Sequence, residues 1–403
     1  MNTHWLTLHE DVFLWLKGNL GFIYNAENKN KFLFNLSDKI GKICHQLLET
    51  ENLYTVELTD EDINDEEIDQ WIHSLMNIQA GYLSLNVGFD NRPISLKPIL
   101  KVQDDREYYE GQQELGFKGK ILQNLHELTF YINGSEQGDA EYFKQTIYPV
   151  KSHQALDREK IRSFIKNSRS FFLSKVNLVG DFFSYSDFKG LINDISELSV
   201  QLTIHISIMD FLDHVQKIKE MKWPTDTQIN ILVDTVFDLS ILKDLPLPLS
   251  MTVFVFSEDD FLQFSNMFET YPAAQDIRFI PLYNKDNMSF FKSNIFIDKE
   301  DIDNVELSKN EIFIRQAINI NDFGQLTVMP DGKVYANVNT PSLGTVDDSP
   351  YSIVYKEFTN GQSWFRLRTQ APCENCIYQW LCPSPSNYET VIGQPNLCHL
   401  EEL

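Results

Sequence analysis

The sequence predicts an α/β fold on a parallel sheet, with a small α+β unit before it and a cysteine-rich tail behind it. Two observations carry the sheet. Six apolar, β-branched runs recur between residues 127 and 281, and helical patterns separate them at spacings that suit strand–helix units. A third observation sets the tail apart: four of the five cysteines fall between positions 373 and 398. At 403 residues the chain exceeds what one core holds and suits two or three domains.

The composition narrows the function. A 42% hydrophobic content with 29 Phe and 16 Tyr is that of a globular chain. Its 34 Lys+Arg against 58 Asp+Glu give a formal charge of -24, which repels phosphate backbones and anionic membrane surfaces. Neither nucleic acid nor a membrane is an expected partner. No apolar run approaches spanning length, and the opening residues lack a basic start and an apolar signal core, so a cytoplasmic location is expected.

In the first ninety residues, Val12–Lys17, Gly21–Asn25 and Lys31–Asn35 read as a small antiparallel meander, turning at Gly18-Asn-Leu and Asn25–Asn30. Ser37 caps a helix carrying Ile40, Ile43 and Leu47, with Cys44 beside that stripe as a core residue. Residues 53–58 suit a helix or a strand. A second helix starts near Asp65 and places Ile68, Trp71, Ile72, Leu75 and Ile78 on one face, with Gly81 expected to end it.

This order is that of a winged-helix-like unit, whose plain role is packing. DNA binding is disfavoured, because residues 1–88 hold five Lys+Arg against fourteen Asp+Glu. The acidic run Asp60–Asp69 reads as a solvated helix start, and it could also select a basic peptide. The unit resembles the peptide-recognition element of ribosomal peptide maturation systems, which holds a precursor's leader as an added strand. That resemblance implies a peptide edge at Lys31, Phe32, Leu33, Phe34 and Asn35, with a wall that includes Trp71 and Leu75. Main-chain hydrogen bonds would supply affinity and alternate side chains specificity.

Residues 91–120 are charged and aperiodic and read as a linker. The expected strands beyond it are Glu127–Ile132, Lys175–Val179, Gln201–Ile206, Asn230–Val233, Met251–Phe256 and Arg278–Pro281. Helices are expected over Asp157–Asn167, Tyr185–Leu198, Phe211–Met221 and Asp259–Thr270. Such sheets place function at the carboxyl ends of their strands.

In the tail, Cys373 and Cys376 are separated by two residues, as in a metal knuckle, and Cys382 and Cys398 complete four thiolates. Disulfides, a structural zinc and an iron–sulfur cluster are the alternatives. Without an export signal disulfides are disfavoured, and spacing by itself favours zinc. His399 beside Cys398 could serve as a substitute zinc ligand, though a surface histidine is the plainer account.

The loops after the first two predicted strands resemble those of the radical SAM fold, which carries Cys-x3-Cys-x2-Cys after strand one and Gly-Gly-Glu after strand two. On this chain the cysteine positions fall on Ser135, Asp139 and Tyr142, followed by Phe143, and the second motif falls on Val179, Gly180 and Asp181. No thiolate remains to hold the SAM-cleaving cluster, so the resemblance implies a degenerate site and makes SAM an unlikely cofactor.

The stretch Leu326–Asn337 resembles the start of a SPASM domain, which binds two auxiliary iron–sulfur clusters. Ligand positions of the first cluster fall on Asn337 and Ser386, whereas Cys373, Cys376, Cys382 and Cys398 match the full set for the second. One site lost whole and one kept whole favours a 4Fe-4S cluster over zinc.

The chain as a whole resembles pseudo-radical-SAM proteins that accompany Gly-Gly-leader peptide maturases in Bacteroidetes-type bacteria. The implied division is a peptide-recognition unit at 1–90, a linker at 91–120, a degenerate partial (β/α) barrel of radical SAM type at 121–315 and a SPASM-like domain at 316–403. The implied function is a catalytically inactive accessory subunit that binds the precursor leader and the active maturase. The alternatives are an iron–sulfur electron-transfer partner or modifying enzyme of the same pathway, and SAM binding without cleavage.

Overall fold

The computed structural model describes residues 3–87, 92–100, 108–109, 111, 120–136, 138–139, 141–242, 245, 248–269 and 276–400. Much of the expected linker and Thr270 of the last expected helix lie outside them. The fold is mixed α/β with one large, mostly parallel sheet.

Two three-stranded antiparallel sheets make up the N-terminal part. Strands β2 (Val12–Lys17), β3 (Leu20–Asn25) and β4 (Lys31–Asn35) form the expected meander. The second sheet has the order β5-β1-β6, from β1 (Thr3–Leu8), β5 (Thr55–Thr59) and β6 (Gly81–Leu85). Its pairing settles this segment as strand from Thr55 on, after left-handed Leu53 and Tyr54, because β1 offers Thr55–Thr59 a partner that local sequence does not reveal. Gly81 does not end the preceding helix. That helix spans Glu66–Asn77, Gln79 takes the left-handed turn (φ 53°), and Gly81 opens β6 where a Cβ would lie 2.4 Å from the Thr7 carbonyl oxygen.

Cys44 is buried beside Leu47, Tyr54, Trp71 and Leu75 as expected of a core residue, and burial pushes its thiol up to about 12.

The large sheet has the order β12-β11-β10-β9-β8-β7-β13-β14-β15. Its parallel run consists of β7 (Glu127–Tyr131), β8 (Lys175–Val179), β9 (Gln201–Ser207), β10 (Thr227–Val233), β11 (Leu249–Val255) and β12 (Ile277–Pro281). Each expected strand is present within a few residues. β13 (Gln325–Val328) adds in parallel to the free side of β7, and β14 (Lys333–Tyr335) and β15 (Gly344–Thr345) follow antiparallel. The order is linear, with β12 and β15 at its edges.

Helices Arg158–Ser168, Phe188–Ser196, Ile208–Glu220 and Glu258–Glu269 replace the four expected ones with shifted ends. They start where a side chain caps them: Asp157, Asp187 and Ser207 each accept from backbone N–H groups two or three residues on. Apolar residues such as Ile161, Phe164, Leu191, Ile192 and Phe211 then share one core with Val176, Leu178, Ile204 and Ile231 of the sheet.

The alternate residues of the strands face the other way and form a buried polar ladder. Asn177 Nδ2 donates to Thr129 Oγ1 at 3.1 Å and to Glu127, while Asn230 Nδ2 donates to Thr252 Oγ1 at 3.0 Å. His205 bridges them: Asn230 Nδ2 donates to its Nδ1 at 2.9 Å, so Nε2–H donates to Asn177 Oδ1 at 3.1 Å. A proton on Nδ1 would face another donor, and burial already pulls the imidazole down to about 3 from 6.5. With a depressed folded pKa, the contribution of neutral His205 is complete above about 6.5 and is lost as pH falls toward 3. Urea unfolding between pH 7 and 4 should therefore show a steeper acid loss in the native chain than in His205→Gln; parallel profiles would contradict the neutral assignment.

Candidate metal centre and strand-end site

At the carboxyl ends of the strands, the segment after β7 turns back over the sheet. Asn133 ties β7 to β8: its Nδ2 donates to the Asp181 carbonyl at 2.8 Å, and its Oδ1 accepts from Asp181 N at 2.9 Å. Gly180 permits this approach, having φ +143° and no room for a Cβ, which would lie 2.3 Å from Asn133 Oδ1.

Ser135 is buried and donates to Asp210 Oδ2 at 3.1 Å. Asp139 accepts from Glu141 N and Tyr142 N in a side-chain-closed turn, and Asp181 does the same for Phe183 N and Ser184 N. Tyr142 packs edge-on against Tyr148 and tilted on Phe256, and Tyr148 reaches Asp234 Oδ2 at 3.0 Å. Gln145 fastens the segment to the residues after β12, donating to the Tyr283 carbonyl and accepting from Tyr283 N, both at 2.8 Å. Tyr148 with Leu232, Phe254 and Leu282 makes a separate apolar cluster there. Ser135, Asp139, Tyr142, Gly180 and Asp181 thus serve side-chain hydrogen bonds, turns, a close backbone approach and aromatic packing.

Asn337 and Ser386, the positions that the SPASM resemblance singled out, also have structural partners. Asn337 Nδ2 donates to Asp322 Oδ1 at 2.8 Å and to Asn387 Oδ1 at 2.6 Å. Ser386 caps the Asn387–Ile392 helix in a reciprocal box with Glu389. These residues border a cavity of about 350 Å³ that also touches Thr129 and Thr327.

The four tail cysteines come together. Cys373, Cys376, Cys382 and Cys398 line one cavity of about 440 Å³, and no disulfide links them. Cys398 is brought there by a parallel bridge to Ile297. Donors face the sulfurs: Leu400 N and Asn396 Nδ2 approach Cys398 Sγ at 3.3 and 3.5 Å, Arg368 Nη1 approaches Cys373 Sγ at 3.8 Å, and the Tyr378 N–H stabilises Cys376.

Burial raises the Cys376 thiol and pushes that of Cys382 up to about 12. Among the described residues no three His, Cys, Asp or Glu side chains form a group that could hold a metal ion as they stand. His399 is engaged elsewhere, with Nε2 at 2.8 Å from the Lys292 carbonyl and its ring on Phe296.

Arg368, which sequence reasoning did not single out, is the buried cation of this site. It is 8% exposed and donates to Glu389 Oε1 at 2.9 Å and to the Pro383 carbonyl at 2.6 Å. An isolated arginine carries no signal until the fold places it beside thiols.

The tentative peptide residues divide between two faces of β4. Phe32 and Phe34 pack with Trp71 and Leu75, both buried, and Phe34 meets Trp71 edge-on at 5.6 Å. Leu33 packs toward the tail, and Lys31 Nζ donates to the carbonyls of Ile302 and Val305, both at 2.9 Å. Backbone bonds Leu36 N to Asn19 O and Asn25 N to Asn30 O fix the ladder phase, so Lys31, Leu33 and Asn35 turn their N–H and C=O groups away from β3. Among the described residues no strand pairs with β4 on that side.

No protein-family model matches the chain, and no curated protein does. Among solved structures it is similar to Streptococcus suis SuiB bound to precursor peptide SuiA, at 12% identity over 100% of both chains with a TM-score of 0.44. It is also similar to SuiB bound to S-adenosylmethionine, at 12% identity over 96% of this chain and 97% of that one, TM-score 0.44. A third is anSMEcpe with bound AdoMet, at 12% identity over 67% of this chain and 95% of that one, TM-score 0.41. No described helix is long and apolar enough to cross a membrane.

Burial raises Asp322 from 3.8 to about 6, against the pull of Arg366 at 3.4 Å and of Asn337. A raised carboxyl pKa means that the folded chain holds this proton more tightly. Its contribution is complete below about 3.8 and is lost as pH rises through 6, on the order of 3 kcal/mol. Asp322→Asn should flatten the decline in unfolding free energy between pH 4 and 7; an unchanged slope would contradict the shift.

Proposed function

We propose that this chain is a non-catalytic accessory subunit of a peptide maturation system, holding the leader of a ribosomally made precursor and presenting it to an active radical SAM maturase. The observation that carries this reading is the unpaired side of β4, whose outward main-chain groups at Lys31, Leu33 and Asn35 suit an added strand. Support for the absence of radical chemistry comes from the residues themselves. Where a SAM-cleaving cluster would need three thiolates, Ser135, Asp139 and Tyr142 are committed to turns and packing.

The tail holds a 4Fe-4S cluster in this reading. Thiolates around one zinc stand about 3.8 Å apart, from bonds of about 2.3 Å in a tetrahedron, whereas a four-iron cluster needs sulfurs spread around a space. Four thiols lining one cavity of about 440 Å³ leave room for the second, and the N–H donors on sulfur suit bound thiolates. When bound, the cluster would supply structural cross-linking of the tail, and Cys373, Cys376, Cys382 and Cys398 would hold it.

Two measurements test the proposal. Pull-down with the precursor and the maturase should retain both, and Leu33→Pro should weaken peptide binding at least about tenfold, since it deletes an outward donor without breaking the β3–β4 ladder. Retention of neither partner would sink the accessory role, and unchanged affinity in Leu33→Pro would sink the strand-addition mode. Anaerobic metal analysis should give about four irons per chain and a broad visible band lost in Cys376→Ser; zinc without colour would overturn the cluster.

A further inference from the structure

The cavity of the four thiols is not made by the tail alone. The β2–β3 turn, Lys17 to Leu20, forms part of its wall. This is a two-residue hairpin turn on Gly18 and Asn19, with Gly18 at φ +57°. Lys17 Nζ donates to the Glu374 carbonyl at 2.6 Å, inside the loop between Cys373 and Cys376.

Behind that contact the two parts share an apolar core. Phe13, Phe22 and Tyr24 of β2 and β3 cluster with Ile377, Tyr378, Leu381 and Cys382. Phe22 meets Tyr378 edge-on at 5.3 Å, two residues after Cys376.

We propose that the metal centre is a composite site of the tail and the N-terminal unit, with Lys17 the positioning residue that holds the Cys373–Cys376 loop in its binding shape. This rests on the metal reading above, and it holds for iron or zinc. A ligand loop of this kind is ordered by the metal it binds, because the protein conformation that presents the thiolates is selected on binding. The same loop is a contact surface of the meander that includes β4. Linkage then runs both ways: the contact from Lys17 favours metal retention, and the bound metal favours a fixed meander. The centre becomes a joint that sets the unit carrying the peptide edge.

The full-length protein as purified provides the test. Metal content is measured first, and an absence of metal in the native chain overturns the metal reading and this inference with it. Given bound metal, its loss to excess EDTA under anaerobic conditions is followed in the native chain, in Lys17→Met and in Lys39→Met. Lys39 pairs with Asp65 within the N-terminal unit and serves as the control.

Loss about tenfold faster in Lys17→Met alone is expected, the scale of a lost supporting contact. Hydrogen exchange over residues 12–35 should rise when the native chain is stripped of metal. Equal retention in all three chains, or unchanged exchange with metal gone, overturns the proposal while leaving the metal reading intact.

Discussion

The packing of the β2–β3–β4 meander on residues 302–312 and on the cysteine-rich tail is the constraint on which the rest depends. Tyr24 concentrates it: its hydroxyl donates to the Leu307 carbonyl at 2.8 Å and accepts from Leu307 N at 2.6 Å, with the ring buried. Two hydrogen bonds on one buried phenol contribute about 1 kcal/mol each while they are made, and leave two backbone groups unpaired if either side withdraws. Lys17 and Lys31 add contacts to backbone carbonyls at opposite ends of the meander. One face of β4 is therefore set by residues 302–312 and the tail, through Leu33 and Lys31, and the other by the N-terminal core, through Phe32 and Phe34.

The large sheet carries two layers of opposite character on one frame. Its helix-facing layer is uniformly apolar, and its opposite layer is a hydrogen-bonded ladder centred on neutral His205. Above the ladder, Tyr148, Phe254 and Leu282 fill the strand ends with apolar packing, and Gln145 clamps the covering segment in place. Beyond the sheet, the short polar side chains of Asn337 and Ser386 satisfy backbone and carboxylate partners that would otherwise be buried unpaired.

Much of this was legible in the sequence. The six parallel strands were readable because each is a short β-branched run between capped helices, and Cys44 was readable as core from its place on an apolar stripe. Strands β1 and β6 were not, because their partners lie about fifty residues or more away and their own patterns are short. Gly81 misled for a related reason: glycine after a helix is a stop signal, yet here its lack of a Cβ serves a close strand contact with Thr7. Trp71 and Leu75, read as a peptide wall, proved to lie under the Phe34 ring and in the core, since helical periodicity tells which face is apolar but not what covers it.

By itself, the sequence determined the cysteine spacing of the tail and the element types, since spacing and side-chain period are local properties. The tertiary structure alone decided that four thiols spread over a stretch of 26 residues would line a shared cavity, that Arg368 would be buried beside them, and that a turn some 350 residues upstream would form one of its walls. Those outcomes depend on which surfaces exclude water together. Burial is a property of the assembled layers, and no single stretch of chain encodes it.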